Sequence, residues 1–165
     1  MTMDANGTTI ELLHPDAQEL AGINRVIEAA IMTWDLPERV KRLALPSYLY
    51  NDTDGQILEF VVALEPRSRI VGVASWEPAE ENDGPYGQKA LLLHGLFVDS
   101  AFHRQGIGRA LVDALLAQTA AAGNDGLLVK AQRDAVDFFS ACGFLPLPVH
   151  DASRQYTHRL WRPVR

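Results

Sequence analysis

The chain has 165 residues, of which 47% are hydrophobic and 22% are charged, and its formal net charge is -6. This composition is typical of one globular domain, so we expect a single domain over residues 1–165. The acidic balance argues against a general nucleic-acid binder and slightly favours a cationic substrate. Residues 1–9 lack the blocks of a signal peptide, and no apolar run reaches the roughly 20 residues that span a bilayer. We therefore expect a cytoplasmic protein with neither nucleic acid nor membrane as a partner.

The first half of the chain alternates strand and helix signals. Pro15 is expected at the first position of a helix whose buried stripe runs to Ile31, with Asp16 and Glu19 at its positive end. Residues 51–55 carry a strong turn signal. Two runs rich in β-forming residues then predict an antiparallel hairpin. The predicted helices in this half run from Pro15 to about Ile31 and from Pro37 to Leu45. The predicted strands are Ile10–Leu13, Ile57–Leu64 and Arg69–Trp76.

The second half predicts a strand, a long helix and a second strand that lies parallel to the first, because a helix connects them. Asp134 is expected to cap a short helix that ends at Gly143, where a left-handed residue is favoured. The predicted elements here are the strands Lys89–Val98, Leu127–Ala131, Phe144–Val149 and Gln155–Trp161, and the helices Gly106–Ala122 and Ala135–Cys142. The order β-α-α-β-β-β-α-β-α-β-β indicates an α/β chain with a mixed sheet.

Cys142 is the only cysteine, so neither an internal disulfide nor a metal site is expected. It falls near the predicted end of a helix, where the helix dipole disfavours a thiolate. We therefore interpret it as a packed thiol of the core, and not as a nucleophile.

The segment His103–Arg109 contains the sharpest functional signal. It follows an apolar strand and opens the long helix, whose first amides have no acceptor within the helix and form an anion site. Gly106 and Gly108 would let a diphosphate approach the backbone closely, and Arg104 and Arg109 add positive charge. The alternative is a helix start whose glycines serve only for packing against a strand.

Two other phosphate motifs fit less well. A Rossmann loop would have a third glycine where Leu111 stands, together with an acidic residue about 20 positions later. A nucleoside-triphosphate loop requires Gly-Lys-Ser/Thr, which this segment lacks.

The loop resembles the acyl-coenzyme A signature of the GNAT family of N-acetyltransferases, Gln/Arg-x-x-Gly-x-Gly/Ala after a strand that reads apolar-x-Val-x-Pro. Here Leu96-Phe97-Val98-Asp99 precedes His103 to Gly108. The segment Ala135–Phe144 is similar to a later helix of the family, Ala-x-x-Phe-Tyr-x-x-x-Gly-Phe. His103 replaces the usual Gln or Arg, Ser100 stands where Pro is common, and Phe139 replaces a Tyr.

This resemblance implies a GNAT-like mixed, mostly antiparallel sheet of about seven strands flanked by about four helices, with a splayed pair of parallel central strands. Acetyl-coenzyme A would be the co-substrate. Its pantetheine arm would pair with the strand near Leu96, whose amide would polarise the thioester carbonyl. The implied cofactor-binding residues are Leu96, Phe97, Val98, His103, Arg104, Gln105, Gly106, Ile107, Gly108, Arg109, Phe138 and Phe139.

His94 is the candidate general base, because an amine must lose a proton and histidine titrates near neutral pH. It shares a strand face with Leu96 and Val98. The alternative is a half-buried histidine that only donates a hydrogen bond.

Phe139 takes the place of the Tyr that the family offers as general acid. A thiolate is a fair leaving group, so water is one substitute for that acid. Tyr48, Tyr86 and Tyr156 are others, and the sequence does not choose among them. Trp34, Tyr48, Tyr50 and Trp76 are candidates for an acceptor pocket, although each of these aromatic residues fits a core position as well.

These patterns predict an acetyl-coenzyme A-dependent N-acetyltransferase that acts on a primary amine of a small molecule, and a homodimer is compatible with the family. One alternative is a binding module that retains the coenzyme pocket without turnover. The other is transfer to a protein N-terminus or lysine. A longer acyl donor also stays open.

Overall fold

The computed structural model describes residues 2–3, 7–150, 152–153 and 156–164. The chain forms two compact units, residues 1–75 with 95–111 and residues 76–94 with 112–165. Two strands, β4 (Ile70–Pro78) and β5 (Ala90–Val98), run through both units. The prediction of one domain over the whole chain stays a prediction.

The first unit combines one end of a sheet with a helical layer. Its strands lie in the order β1-β2-β3-β4-β5, and β2 and β3 are antiparallel from Thr9↔Leu64 to Leu13↔Phe60. The other elements of this unit are β1 (Thr2–Met3), β2 (Thr9–Leu13), α1 (Ala17–Ile31), α2 (Glu38–Ala44), α3 (Asp52–Ile57), β3 (Glu59–Leu64) and the start of α4 (Ile107–Ala121).

The core of the first unit forms where α1 covers the sheet. The predicted stripe is confirmed, since Ile23, Val26, Ile27 and Ile31 have no exposed surface. They form one cluster with strand residues such as Phe60. Burying such side chains stabilises the fold by about 1.5–3 kcal/mol each.

The start of α1 differs from the prediction. Asp16 is the N-cap, so Pro15 lies before the helix and not at its first position. The Asp16 carboxylate accepts from the Glu19 amide at 2.8 Å, and the Glu19 carboxylate accepts from the Asp16 amide at 3.0 Å. This reciprocal capping box fixes the first turn.

The predicted turn at residues 51–55 is wrong, because this segment begins helix α3. Asn51 and Asp54 form a second capping box, with bonds of 2.9 Å and 2.8 Å between each side chain and the amide of the other residue. The residue types that favour turns also favour N-caps, since both use a short side chain to bond nearby amides.

The second unit holds the other end of a sheet, in the order β4-β5-β6-β8-β7. The parallel pair is confirmed: β5 and β6 (Gly126–Lys130) pair from Ala90↔Gly126 to Leu93↔Val129, well before β5 ends at Val98. The other elements of this unit are the remainder of α4, α5 (Val136–Ala141), β7 (Leu145–Pro146) and β8 (Arg159–Pro163), which pairs antiparallel with β6.

The C-terminal elements are shorter than predicted. Pro146 and Pro148 have no amide to donate, which limits β7 to Leu145–Pro146. The predicted strand Gln155–Trp161 begins at Arg159, and Gln155 lies outside the described residues. Asp134 does not cap α5, because a 3-10 turn over Arg133–Ala135 precedes that helix and its N-cap, Ala135, has no side-chain bond. Gly143 has the predicted left-handed conformation, with φ of 88°.

The chain thus has eight strands and five α-helices among the described residues, one of each more than predicted. The mixed α/β class with a parallel central pair is confirmed. None of the helices in the described ranges is long and apolar enough to cross a membrane.

Candidate active site

The predicted phosphate loop lies in the first unit, between the end of β5 and the start of α4. A 3-10 turn, Ser100–Phe102, is followed by exposed residues up to Gly106, and the helix begins at Ile107. The first bond of the helical ladder joins the Ala110 amide to the Gly106 carbonyl at 3.0 Å. The amides of Ile107 and Gly108 precede that bond and therefore point out of the helix end, as an anion site requires.

Two left-handed residues shape the loop. Gly106 has φ of 78°, and a Cβ built on it would meet nothing within 4 Å. Its lack of a side chain thus serves the backbone conformation and leaves open space in front of the loop. Arg104 has φ of 64°, which is uncommon for a residue with a side chain. The sequence carries no signal for this conformation of Arg104.

The loop is held from behind by a buried carboxylate. Asp99, which is 5% exposed, accepts from the Ala101 amide at 3.0 Å and from the Arg25 guanidinium at 3.1 Å. The Arg69 guanidinium lies 3.6 Å from the same carboxylate oxygen as Arg25. The Asp99 amide donates to the Val71 carbonyl at 2.8 Å. Asp99 therefore fixes the loop to α1 and to β4, a role that the sequence analysis did not assign.

His103 is exposed, and its ring Nε2 lies 3.0 Å from the Val98 carbonyl oxygen. The ring thus bonds back to the end of β5. Gln105 and Arg109 are also exposed at this end of α4, so Arg104 and Arg109 bring two cationic side chains to one loop.

Packing of α4 against β4 sets the position of the helix start. A Cβ on Gly72 would lie 2.9 Å from Ile107 Cγ2 and 3.1 Å from Leu111 Cδ1. Ile107 and Leu111 are 2% and 0% exposed. The close approach therefore depends on glycine at position 72.

Two of the predicted pocket aromatics come together in the first unit. Trp34 and Tyr48 contact edge to face with ring centroids 5.3 Å apart, and Tyr48 contacts Phe97 of β5 in the same way at 6.3 Å. Each of the three is half-buried, so each offers both a packed and an accessible surface. Leu96 and Val98 on the same strand are half-buried as well.

Tyr50 also lies in the first unit and is 7% exposed, whereas His94, Trp76, Phe138, Phe139 and Cys142 lie in the second unit. His94 is exposed on β5, whereas Trp76 on β4 is 4% exposed and belongs to the core. Phe139 is 5% exposed and packs edge to face between Phe138 and Phe144, with centroids 5.1 Å and 5.4 Å away. Phe138 is 36% exposed. Cys142 is buried, as the interpretation of a packed thiol requires.

The family model of the acetyltransferase (GNAT) domain matches residues 37–155, which is most of the chain. This chain belongs to the GNAT family. It is therefore an acyltransferase, and acetyl-coenzyme A as its co-substrate fits this acetyltransferase family, as the loop and the later helix predicted. A comparison with curated proteins finds no significant relative of this GNAT chain.

Solved structures share the fold over nearly the whole GNAT chain. A protein assigned to the GNAT acetyltransferases of Desulfovibrio desulfuricans is 19% identical, with a TM-score of 0.67, covering 96% of this chain and 99% of its own. AtaTR bound with acetyl-coenzyme A is 22% identical, with a TM-score of 0.60, covering 95% and 93%. AtaT complexed with acetyl-methionyl-tRNAfMet is 22% identical, with a TM-score of 0.59, covering 94% of each chain.

The tRNA complex corrects the predicted partners. The resemblance predicted a small-molecule amine, and the acidic composition argued against nucleic acid. That exclusion is wrong for this fold, since AtaT was solved with acetyl-methionyl-tRNAfMet. Net charge reports on the whole surface, whereas an acceptor is bound by a local part of it.

Proposed function

We propose that this GNAT-family chain transfers the acetyl group of acetyl-coenzyme A to a primary amine by direct attack. The observation that carries the proposal is the open helix start at Gly106–Gly108, with its outward amides and its two flanking arginines. These donors suit the diphosphate of the coenzyme, because backbone amides and full positive charges converge on one exposed loop.

The half-buried strand segment Leu96–Val98 is proposed to pair with the pantetheine arm. The Leu96 amide would then polarise the thioester carbonyl, which is assistance of the oxyanion-hole type. The amine nitrogen attacks the carbonyl carbon, a C–N bond forms, the C–S bond breaks, and sulfur leaves with the electron pair. Trp34, Tyr48 and Phe97 are proposed to line the acceptor side.

His94 is proposed as the general base that takes the proton from the attacking amine. Its exposure on β5 supports this role, because the base must exchange its proton with solvent. We expect His94→Ala to lower kcat about 100-fold at neutral pH, with the KM for acetyl-coenzyme A unchanged. The loss should shrink as the pH rises, because more of the amine is then already neutral.

The matched control is His14→Ala, an exposed histidine outside the elements of the site. Steady-state rates across a pH series measure both variants. A His94→Ala enzyme with the wild-type rate and pH profile would remove His94 as the base.

The acceptor is identified by release of free coenzyme A thiol in the presence of acetyl-coenzyme A. The panel consists of a free amine, a peptide with a free N-terminus, a lysine peptide and an aminoacyl-tRNA. The tRNA arm is included because AtaT, of the same fold, was solved with acetyl-methionyl-tRNAfMet. Coenzyme binding without thiol release on any acceptor would instead favour a non-catalytic binding module.

A further inference from the structure

A pair of hydroxyl groups is buried against β5 in the first unit. Tyr50 Oη and Ser75 Oγ are 2.6 Å apart, and these residues are 7% and 0% exposed. Buried polar groups are retained when they are paired, and this pair satisfies that requirement. From the sequence alone, Tyr50 is expected either in the wall of the acceptor pocket or in the core.

Tyr50 is held at three points, so its hydroxyl has a defined position. Its amide donates to the Asn24 side-chain oxygen at 2.9 Å, and its carbonyl accepts from the Asn24 side-chain nitrogen at 2.8 Å. Its ring packs edge to face on Phe60, with centroids 5.4 Å apart. Such support from neighbouring residues is what a reactive group needs to keep its geometry.

The hydroxyl reaches the strand at a glycine. A Cβ on Gly95 would lie 2.6 Å from Tyr50 Oη and 3.6 Å from Ser75 Oγ. The phenol therefore fills the space that a side chain would take at position 95. Gly95 directly precedes Leu96, whose amide is proposed to polarise the thioester.

We propose that the Tyr50 hydroxyl, held by Ser75, donates the proton to the leaving thiolate of coenzyme A. This inference rests on the proposed acetyl transfer. It supplies the phenol that Phe139 lacks. Of the other phenols that the sequence offered, Tyr86 is fully exposed and Tyr156 is 45% exposed, whereas the half-buried Tyr48 packs edge to face against Trp34 and Phe97.

The proton balance closes without any further reagent. As the C–S bond breaks, sulfur takes the electron pair and the Tyr50 proton, and the resulting phenolate accepts the hydrogen bond of Ser75. The attacking amine gives one proton to His94, and His94 returns one proton through solvent to the phenolate. Starting from the neutral amine, the products are the amide and coenzyme A thiol, with no net uptake or release of protons.

The test is the kinetics of Tyr50→Phe, which removes only the hydroxyl. We expect kcat to fall about 100-fold, with the KM for acetyl-coenzyme A within about twofold of wild type. Ser75→Ala keeps the phenol and removes its partner, so we expect a smaller loss of about tenfold. Tyr86→Phe is the matched control and should keep the wild-type rate.

A second pair of variants tests the contact between position 95 and Tyr50 Oη, and the comparison holds even if Gly95→Ala folds poorly. Gly95→Ala places a methyl group against Tyr50 Oη, so we expect a lower Tm and a lower kcat. Tyr50→Phe/Gly95→Ala removes the overlapping atom and should regain part of the Tm but none of the kcat. A double variant that regains its rate would show that the phenol is only a packing group.

The outcomes separate this inference from the proposed function. Wild-type enzyme that releases thiol while Tyr50→Phe releases it at the same rate would overturn the proton donor alone. A Tyr50→Phe variant with a lower Tm but an unchanged rate per folded molecule would also overturn the proton donor alone. A wild-type chain that binds acetyl-coenzyme A and releases no thiol with any acceptor would overturn the acetyl transfer and the proton donor together.

Discussion

The two segments that match GNAT motifs are built in different ways. The residues from His103 to Gly106 are exposed, and Asp99 holds the loop from behind by ionic and backbone bonds, which leaves the amides of the helix start for a ligand. Helix α5 is held by edge-to-face contacts between aromatic rings, and Phe139 at its centre is buried among them. Both segments keep the spacing of their motif, but only the loop keeps the polar groups that the family chemistry requires.

A motif can therefore keep the residues that shape its helix without the residue that would react. Glycine and phenylalanine at positions 143 and 144 still end α5, with Gly143 left-handed and Phe144 2% exposed. The phenol is absent from Phe139, and a buried phenol lies elsewhere, at Tyr50. Substitutions in the loop should therefore weaken coenzyme binding, whereas substitutions in α5 should lower the free energy of unfolding.

Among substitutions in these two segments and the tether of the loop, we expect the largest effect from Gly106→Ala in the loop. The methyl group meets no protein atom, and we expect it to enter the space that the diphosphate is proposed to occupy. We expect the Kd for coenzyme A to rise about 30-fold, equivalent to about 2 kcal/mol, by titration calorimetry. The left-handed backbone adds a stability cost of about 1 kcal/mol.

Gly123→Ala is the matched control for Gly106→Ala. Gly123 has φ of 79° at the other end of α4, and its Cβ would also meet nothing within 4 Å. Both variants should lose similar stability, and only Gly106→Ala should lose coenzyme affinity. Equal affinities in the two variants would show that the loop does not contact the coenzyme.

The second-largest effect is expected from Asp99→Asn, which removes the carboxylate that fixes the loop to α1 and β4. The neutral amide leaves Arg25 and Arg69 without their carboxylate, and both arginines are partly exposed, which reduces the cost. We expect a loss of about 1–3 kcal/mol in the free energy of unfolding, measured by urea denaturation, and a raised KM for acetyl-coenzyme A. An Asp99→Asn variant with wild-type stability and KM would contradict the role of Asp99 as a tether.

The smallest effect is expected from Phe139→Tyr, which restores the family residue. Its hydroxyl enters a cluster of aromatic rings, so we expect a loss of about 1–3 kcal/mol in stability and an unchanged kcat. The measurement is urea denaturation together with thiol release. A gain in kcat would show that α5 keeps a working position for the acid and would break the contrast with the loop.

Local signals let the sequence predict much of the fold. The buried stripe of α1, the start of α4 after an apolar strand, and the left-handed Gly143 each depend on neighbours in the chain. The capping box of Asn51 and Asp54 was mistaken for a turn because the two structures use the same residue types. The residue types at positions 51–54 thus indicated that a new element begins there, but not that this element is a helix.

The site depends on contacts that no local pattern contains. Asp99 reaches Arg25, and Tyr50 reaches Ser75 and Gly95, across long stretches of the chain. The conformation of Arg104 also has no sequence signal, because residues with a side chain seldom adopt it. The phosphate loop was therefore predictable from the sequence, whereas the roles of Asp99 and of the buried Tyr50 hydroxyl could be inferred only from the structure.

A crystal structure of the chain with coenzyme A tests the central claim most directly. We expect diphosphate oxygens within about 3.2 Å of the amide nitrogens of Ile107 and Gly108. Diphosphate bound elsewhere on the chain, or those amides bonded to the protein's own atoms, would contradict it.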